Sequence, residues 1–281
     1  MASEDTDIAK GAFSPTATRT LLGSLGHKPR KPLGQNFLTD GNIVRKSLQL
    51  ADVQPGDRVV EIGPGLGTLT GALIDAGAEV YAIEFDANLA RHIGDKFGSS
   101  VQLVEGDAVD HPIAGLAAVD AEAGYKIVAN LPYAITSPWM GKLLSGPLPD
   151  TMVLMMQKEA ADRLTAQPGT KQYSAIAIFL QSAFEKVAYH KVSRQCFYPV
   201  PGVDSVLLSI RKKDSVLLFD KPTRQAIRKL FGQRRKQIST LVKGNQKLES
   251  WLSAAANFGV KTNDRPEAIP LEAWQLLAES S

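Results

Sequence analysis

The sequence predicts an α/β domain with a mostly parallel sheet, followed by a small all-helical domain. Three observations carry that expectation. Short apolar runs alternate with helix-like stretches from about residue 58 to 165. The first run opens into a glycine-rich turn, Glu61-Ile-Gly63-Pro-Gly65-Leu-Gly67. Beyond Asp214 the strand-like runs stop and only helical spacing continues. Strands that alternate with helices build parallel sheets, and the loops leaving such strands carry the ligand-binding residues.

Taken in order, residues 1–27 lack sustained periodicity and are expected to form a flexible N-terminal extension. Asn42 to Ala51 has helical spacing with Asp40 as its cap. Strands are expected at Arg58–Ile62, Glu79–Ile83, Val101–Val104, Tyr125–Ala129 and Thr151–Met156. Helices are expected at Thr68–Ala76, Ala87–Phe97 and Lys158–Thr165, and the last strands at Ala177–Phe184 and Val206–Arg211. Thr223–Phe231, Lys236–Lys243, Leu248–Phe258 and Leu271–Glu279 read as helices punctuated by Gly232, Gly244, Gly259 and Pro266. The domains are therefore expected at 28–213 and 214–281.

The chain has 281 residues, 44% hydrophobic and 22% charged, ordinary for a globular protein. No apolar run reaches membrane-spanning length, and the polar start MASEDTDIAK has no signal-peptide core. Cys196 is the only cysteine, so no intrachain disulfide can form and a reducing cytoplasm is expected. The net charge of +3 hides an uneven distribution. Between Arg211 and Lys247 lie 12 of the 32 Lys/Arg and 2 of the 29 acids, leaving 20 bases and 27 acids elsewhere. A charge run is often only a solvated helix face, but this one also has the make-up of a nucleic-acid surface. His27, His92, His111, His190 and Cys196 have no metal-ligand spacing, so no metal is expected.

A glycine turn after a strand serves dinucleotides, S-adenosylmethionine or structure alone. Here the glycines alternate at 63, 65 and 67, and Thr68 stands where a dinucleotide fingerprint needs its third small residue. That spacing, with Glu61 in the strand, points to S-adenosylmethionine. Glu84 follows the second strand, where a carboxylate can accept both hydroxyl protons of a ribose. Asp107 follows the third, where it can accept from an adenine amino group. Asn130-Leu131-Pro132-Tyr133 follows the fourth. An exocyclic amine on a planar ring is a poor nucleophile because its lone pair is delocalised. A carboxamide oxygen and a backbone carbonyl accepting its two N–H bonds would free that lone pair. Pro132 would stiffen the loop and Tyr133 would stack on the ring. These residues leave adenine, cytosine and glutamine-amide acceptors open.

The sequence resembles the ribosomal RNA adenine dimethyltransferases that modify two adjacent adenosines near the 3′ end of small-subunit RNA. The resemblance spans about residues 28–281. It rests on Leu33-Gly-Gln-Asn-Phe-Leu38, the Glu61–Gly67 turn, Asn130–Tyr133, Gln157-Lys-Glu159, Phe197-Tyr-Pro-Val-Pro-Gly-Val-Asp-Ser205, Phe231-Gly-Gln-Arg-Arg-Lys236 and Arg265-Pro-Glu-Ala268. It implies a Rossmann-like methyltransferase domain and transfer from S-adenosylmethionine to N6, giving N6,N6-dimethyladenosines. It implies cofactor contacts at Gln35, Asn36, Leu38, Gly63, Gly65, Glu84, Asp107, Ala108 and Asn130. The catalytic set would be Asn130, Leu131, Pro132, Tyr133 and Phe197, with Phe197 stacking on the far face of the base. Arg224, Arg228, Lys229, Arg234, Arg235 and Lys236 would grip RNA. The implied partner is small-subunit rRNA within an assembling (pre-30S) particle, with no membrane, the chain acting as a monomer. A related large-subunit RNA methyltransferase and a largely non-catalytic assembly factor are the alternatives.

Overall fold

The computed structural model describes residues 14–279, without the side chains of Lys31, Tyr133 and Glu279. Residues 1–13 of the expected extension lie outside the described residues. In chain order the elements begin with α1 (Pro15–Ser24), β1 (Phe37–Leu38), α2 (Gly41–Ala51), β2 (Arg58–Ile62) and α3 (Thr68–Asp75). Next come β3 (Glu79–Glu84), α4 (Ala87–Phe97), β4 (Val101–Glu105), α5 (Ala118–Glu122), β5 (Lys126–Asn130), α6 (Thr136–Leu143) and β6 (Thr151–Gln157). The remainder is α7 (Lys158–Leu164), α8 (Ala175–Ala183), β7 (Phe184–Val192), β8 (Phe197–Tyr198), β9 (Ser205–Lys212), α9 (Lys221–Gly232), α10 (Ile238–Val242), α11 (Gln246–Ala255) and α12 (Leu271–Glu279).

Seven strands form one sheet in the order β4-β3-β2-β5-β6-β9-β7. The pairs from β4 across to β6 are parallel, and β9 enters antiparallel beside β6. The order reverses between β2 and β5: β3 and β4 follow on one side, β6 on the other. At such a switch point the crossover helices diverge and leave a crevice beyond the C-terminal strand ends. The central strands are apolar because helices cover them, and Val59, Val60, Ile62, Ile127, Val128, Val153 and Leu154 are almost wholly buried. Burying one such side chain stabilises the fold by about 1.5–3 kcal/mol.

Local signals fix the helix starts. Asp40 caps α2 by accepting from the Asn42 N–H, and Asp86 caps α4 by accepting from Asn88 and Leu89. The small antiparallel pair β1–β8 sets Leu38 opposite Phe197 and Phe37 opposite Tyr198.

Among the described residues, those up to 160 with 186–211 form one compact unit, and 161–185 with those from 212 onward form a second. In the second unit Trp251 stacks on Trp274 at 4.8 Å, and Phe231 lies 5.7 Å from Trp274. Trp251 Nε1 donates to the Ala273 carbonyl.

Three expectations need correction. The run Ala177–Phe184 is helical, not a strand, because α8 occupies Ala175–Ala183 and the strand there starts at Phe184. Seven of the nine α8 residues are buried, and a continuous apolar run looks the same in a buried strand or a buried helix. The single boundary at 213/214 is replaced by a chain that enters the second unit at 161, leaves at 186 and returns at 212. The stretch 15–24 is not a flexible arm but helix α1, capped by Ser14, with Thr18 and Leu22 buried. Leu22 clusters with Phe37, Leu66 and Leu89.

Candidate active site

The switch point opens into a cavity of about 250 Å³. Its walls come from five places: the strap Pro32–Leu38, the glycine turn after β2, the end of β3, the turn after β4, and the loop after β5. Of the sequence-predicted residues, Gln35, Asn36, Leu38, Gly63, Gly65, Glu84, Asp107, Ala108, Asn130, Leu131 and Pro132 all line it.

Two glycines have a geometric reason to be glycine. Gly63 and Gly65 have φ of +70° and +59°, a region that strains any residue with a Cβ. A Cβ on Gly63 would stand 3.3 Å from the Pro132 ring, and one on Gly65 would stand 3.1 Å from the Phe37 ring. The turn is thus pressed between the β5 loop and the strap. Its floor is tied to β3: the Gly63 N–H donates to the Ile83 carbonyl and the Gly65 N–H to Glu84 Oε2.

Glu84 is buried, and its Oε1 accepts from the Asp86 N–H at 2.9 Å. Burial raises its pKa, with the Asp86 charge adding to the rise and these backbone donors opposing it. Each oxygen keeps a second lone pair for a ligand hydroxyl. Asp107 is half-buried, and its Oδ1 accepts from the Val109 N–H at 2.7 Å, which locks the turn that presents it.

On the acceptor side, Asn130 Nδ2 donates to the Asn36 carbonyl at 3.0 Å. A backbone carbonyl can only accept, so the amino end of the carboxamide is committed there, and the oxygen is the end that can accept from a ligand. Leu131 is buried, and its N–H donates to the Met155 carbonyl at 2.8 Å. The Pro132 carbonyl accepts from the Ile135 N–H at 3.2 Å. The loop is therefore held on both flanks. The stacking expected of Tyr133 concerns a side chain outside the described structure.

Phe197 is not among the lining residues. Its ring is 1% exposed and packs in the core with Leu38, Val44, Val192 and Leu207. Pairing of β8 with β1 sets Phe197 opposite Leu38 and turns its ring into the core. Gln35 is partly committed too: its Oε1 accepts from the Arg30 N–H at 2.7 Å and lies 3.0 Å from His27 Nε2. The basic residues of the second unit also divide. Arg228, Lys229, Arg235 and Lys236 are exposed, whereas Arg234 donates to the Lys171 carbonyl and lies 3.6 Å from Glu267. Arg234, Arg235 and Lys236 occupy the turn between α9 and α10 rather than a helix.

Phe85 is a lining residue that the sequence reading did not single out. It is 59% exposed at the mouth, directly after Glu84. A large apolar residue following a strand-end acid is the signal that could have found it. Glu61 forms part of the floor, wholly buried, and accepts from Thr70 Oγ1 at 2.7 Å. Burial pushes its pKa up to about 8, against the Thr70 hydrogen bond and with help from the Glu84 charge. Folded Glu61 thus holds its proton up to about pH 8, whereas the unfolded chain releases it above 4.5. Stability conferred below 4.5 is therefore lost as pH rises through that window. Glu61→Gln should flatten the fall of the melting temperature between about pH 5 and pH 8. Parallel melting curves for the variant and the parent chain would show that Glu61 is ionised when folded.

A parallel sheet of this order, with an antiparallel strand slotted beside β6, is the methyltransferase form of the Rossmann-like fold, and sheet and cleft together assign the chain to that class. Solved structures that share it include two with clear sequence similarity. A dimethyladenosine transferase from Plasmodium falciparum is 26% identical with a TM-score of 0.69, covering 86% of this chain and 96% of that one. The 23S rRNA methyltransferase ErmE is 26% identical with a TM-score of 0.63, covering 87% and 98%. The family described as ribosomal RNA adenine dimethylase matches residues 26–280, and the chain belongs to it. Curated relatives named ribosomal RNA small subunit methyltransferase A agree. One from Opitutus terrae is 52% identical over 271 residues, 94% of this chain and 98% of its own. One from Chlamydia trachomatis is 38% identical over 261 residues, 91% and 93%.

Proposed function

We propose that the chain transfers methyl groups from S-adenosylmethionine to N6 of two adjacent adenosines near the 3′ end of small-subunit rRNA, two to each. The observation that carries this reading is the Asn130–Asn36 hydrogen bond, which turns a carboxamide oxygen into the available acceptor beside the cavity.

The residues present fit the methyl donor. Glu84 offers a lone pair on each oxygen to the two ribose hydroxyls, and Asp107 offers an acceptor to the adenine amino group. Gly63 and Gly65 admit close backbone approach, while Gln35, Asn36, Leu38 and Ala108 complete the walls. When bound, the donor supplies a methyl on a sulfonium, already a strong electrophile. Asn130 Oδ1 and the Leu131 carbonyl accept the two N–H bonds of the target amine and so localise its lone pair. The Pro132 carbonyl, engaged by Ile135, is less suited to that task. Pro132 holds the acceptors at fixed spacing for an extruded base. After the first transfer one N–H remains, so one acceptor still orients the amine for the second. The attacked nitrogen turns acidic as the bond forms, so no strong general base is needed, and its proton leaves to solvent.

Arg228, Lys229, Arg235 and Lys236 give the second unit an exposed cationic surface for RNA phosphates, with Arg224 and Arg234 beside it. Replacing Arg235 and Lys236 with Gln should weaken binding to small-subunit particles and lower the slope of log affinity against log salt by about two. An unchanged slope would remove these residues from the RNA surface. The particle bound would be an assembling small subunit, met in the cytoplasm by a monomer of this chain. To test the reaction, purified protein is incubated with methyl-labelled donor and unmodified small subunits, and the RNA is digested to nucleosides. Label in dimethyladenosine supports the reading; label confined to another nucleoside, or to protein, contradicts it.

A further inference from the structure

Asp86 carries more charge than its helix requires. Capping α4 uses Oδ1, which accepts from Asn88 and Leu89, and a neutral Asn or Ser would serve as well. Oδ2 is also buried and has no hydrogen bond among the described residues. A buried carboxylate oxygen left alone is costly, so a compensating group is expected. The segment between α1 and the strap supplies it. Arg30 Nη1 lies 3.4 Å from Oδ2, and His27 Nδ1 lies 3.9 Å from Oδ1.

His27 is itself 6% exposed. Its backbone N–H donates to the Leu22 carbonyl at the end of α1, whose Leu22 packs on Phe37 and Leu66. Its Nε2 faces Gln35 Oε1, an oxygen that already accepts from Arg30, so Nε2 carries the proton and donates. Gln35 belongs to the cavity wall, and the next residue, Asn36, accepts from Asn130. At the other end, the Asp86 N–H donates to Glu84. A continuous set of contacts thus joins α1, the strap, the ribose-side acid and the acceptor loop.

We propose that His27, bonded to Gln35, and Asp86, paired with Arg30, are positioning residues that clasp the Pro32–Leu38 strap shut over the donor cavity, so that donor entry and release are governed at this clasp. This rests on the reading of the cavity as the S-adenosylmethionine site. Neither residue lines the cavity; His27 acts through Gln35, and the Asp86 side chain acts through Arg30, whose N–H also donates to Gln35.

The test uses the full-length chain and compares His27→Ala, His27→Gln and Asp86→Asn with the parent. Asp86→Asn keeps the α4 cap and removes only the charge, so it carries the test even where His27→Ala fails to fold. S-adenosylmethionine dissociation is followed by stopped flow and its affinity by calorimetry. Release should quicken and affinity fall by about tenfold in His27→Ala and Asp86→Asn, with kcat at saturating donor within about twofold of the parent. His27→Gln, which restores a donor to Gln35, should recover much of the affinity. Parent-like release in Asp86→Asn would overturn the clasp. So would kcat and affinity falling together with no recovery in His27→Gln, which marks a merely structural role. A parent chain that binds no S-adenosylmethionine would instead overturn the donor site itself.

Discussion

Asn130→Ala should lower methyl transfer by about 10²–10³-fold, the usual cost of deleting an oriented electrostatic partner of the reacting atom. Two losses combine. The amine loses the acceptor that localises its lone pair, and the Asn36 carbonyl loses the Nδ2 donor that fastens the strap to the β5 loop. The second loss predicts a modest fall in donor affinity, a few-fold at most. Particle binding should stay near the parent value, because the exposed cations proposed to serve it lie in the other unit. Single-turnover methylation, donor calorimetry and particle sedimentation read the three quantities separately. Activity within tenfold of the parent, or an equal loss of particle binding, would contradict the role given to Asn130.

Glu84→Ala should weaken S-adenosylmethionine binding by about 10²-fold or more, since hydrogen bonds to a charged group are worth about 1.5–3 kcal/mol each. Glu84→Gln should cost nearly as much, which is the sharper prediction. Both carboxylate oxygens accept backbone N–H groups, one from Gly65 and one from Asp86. A carboxamide has one oxygen, so its amino end must face an N–H donor and repel it. The glycine turn then loses its anchor on β3 as well as one ribose contact. Calorimetry on the folded variants checks this. A Gln variant binding within about threefold of the parent would mean that Glu84 is not held as the structure places it.

Much of this was legible where local chemistry decides. Helix α4 runs from Ala87 to Phe97 as read, because Asp86 supplies a cap and Gly98 a stop. The glycine turn, Glu84, Asp107 and Asn130 were found because the switch-point architecture brings the ends of successive strands to one edge. What stayed hidden depends on distant partners. Whether Ala177–Phe184 forms strand or helix is settled by burial on all sides, which periodicity cannot resolve. Phe197 matches a motif, yet its ring direction is set by pairing with Leu38, far away in sequence. Helix α1 is stabilised by Phe37, Leu66 and Leu89, none of them its neighbour in the chain. The transfer of residues 161–185 to the second unit leaves no compositional mark at all.

The most direct measurement is the position and methyl count of the product nucleotides. Small subunits lacking the modification are treated to completion with the purified chain and S-adenosylmethionine, and the RNA is sequenced by mass spectrometry. The proposed reaction predicts two adjacent adenosines near the 3′ end, each heavier by two methyl groups, and no change in large subunits treated alike. Methylation of a large-subunit adenosine, or a product that stops at one methyl, would contradict it.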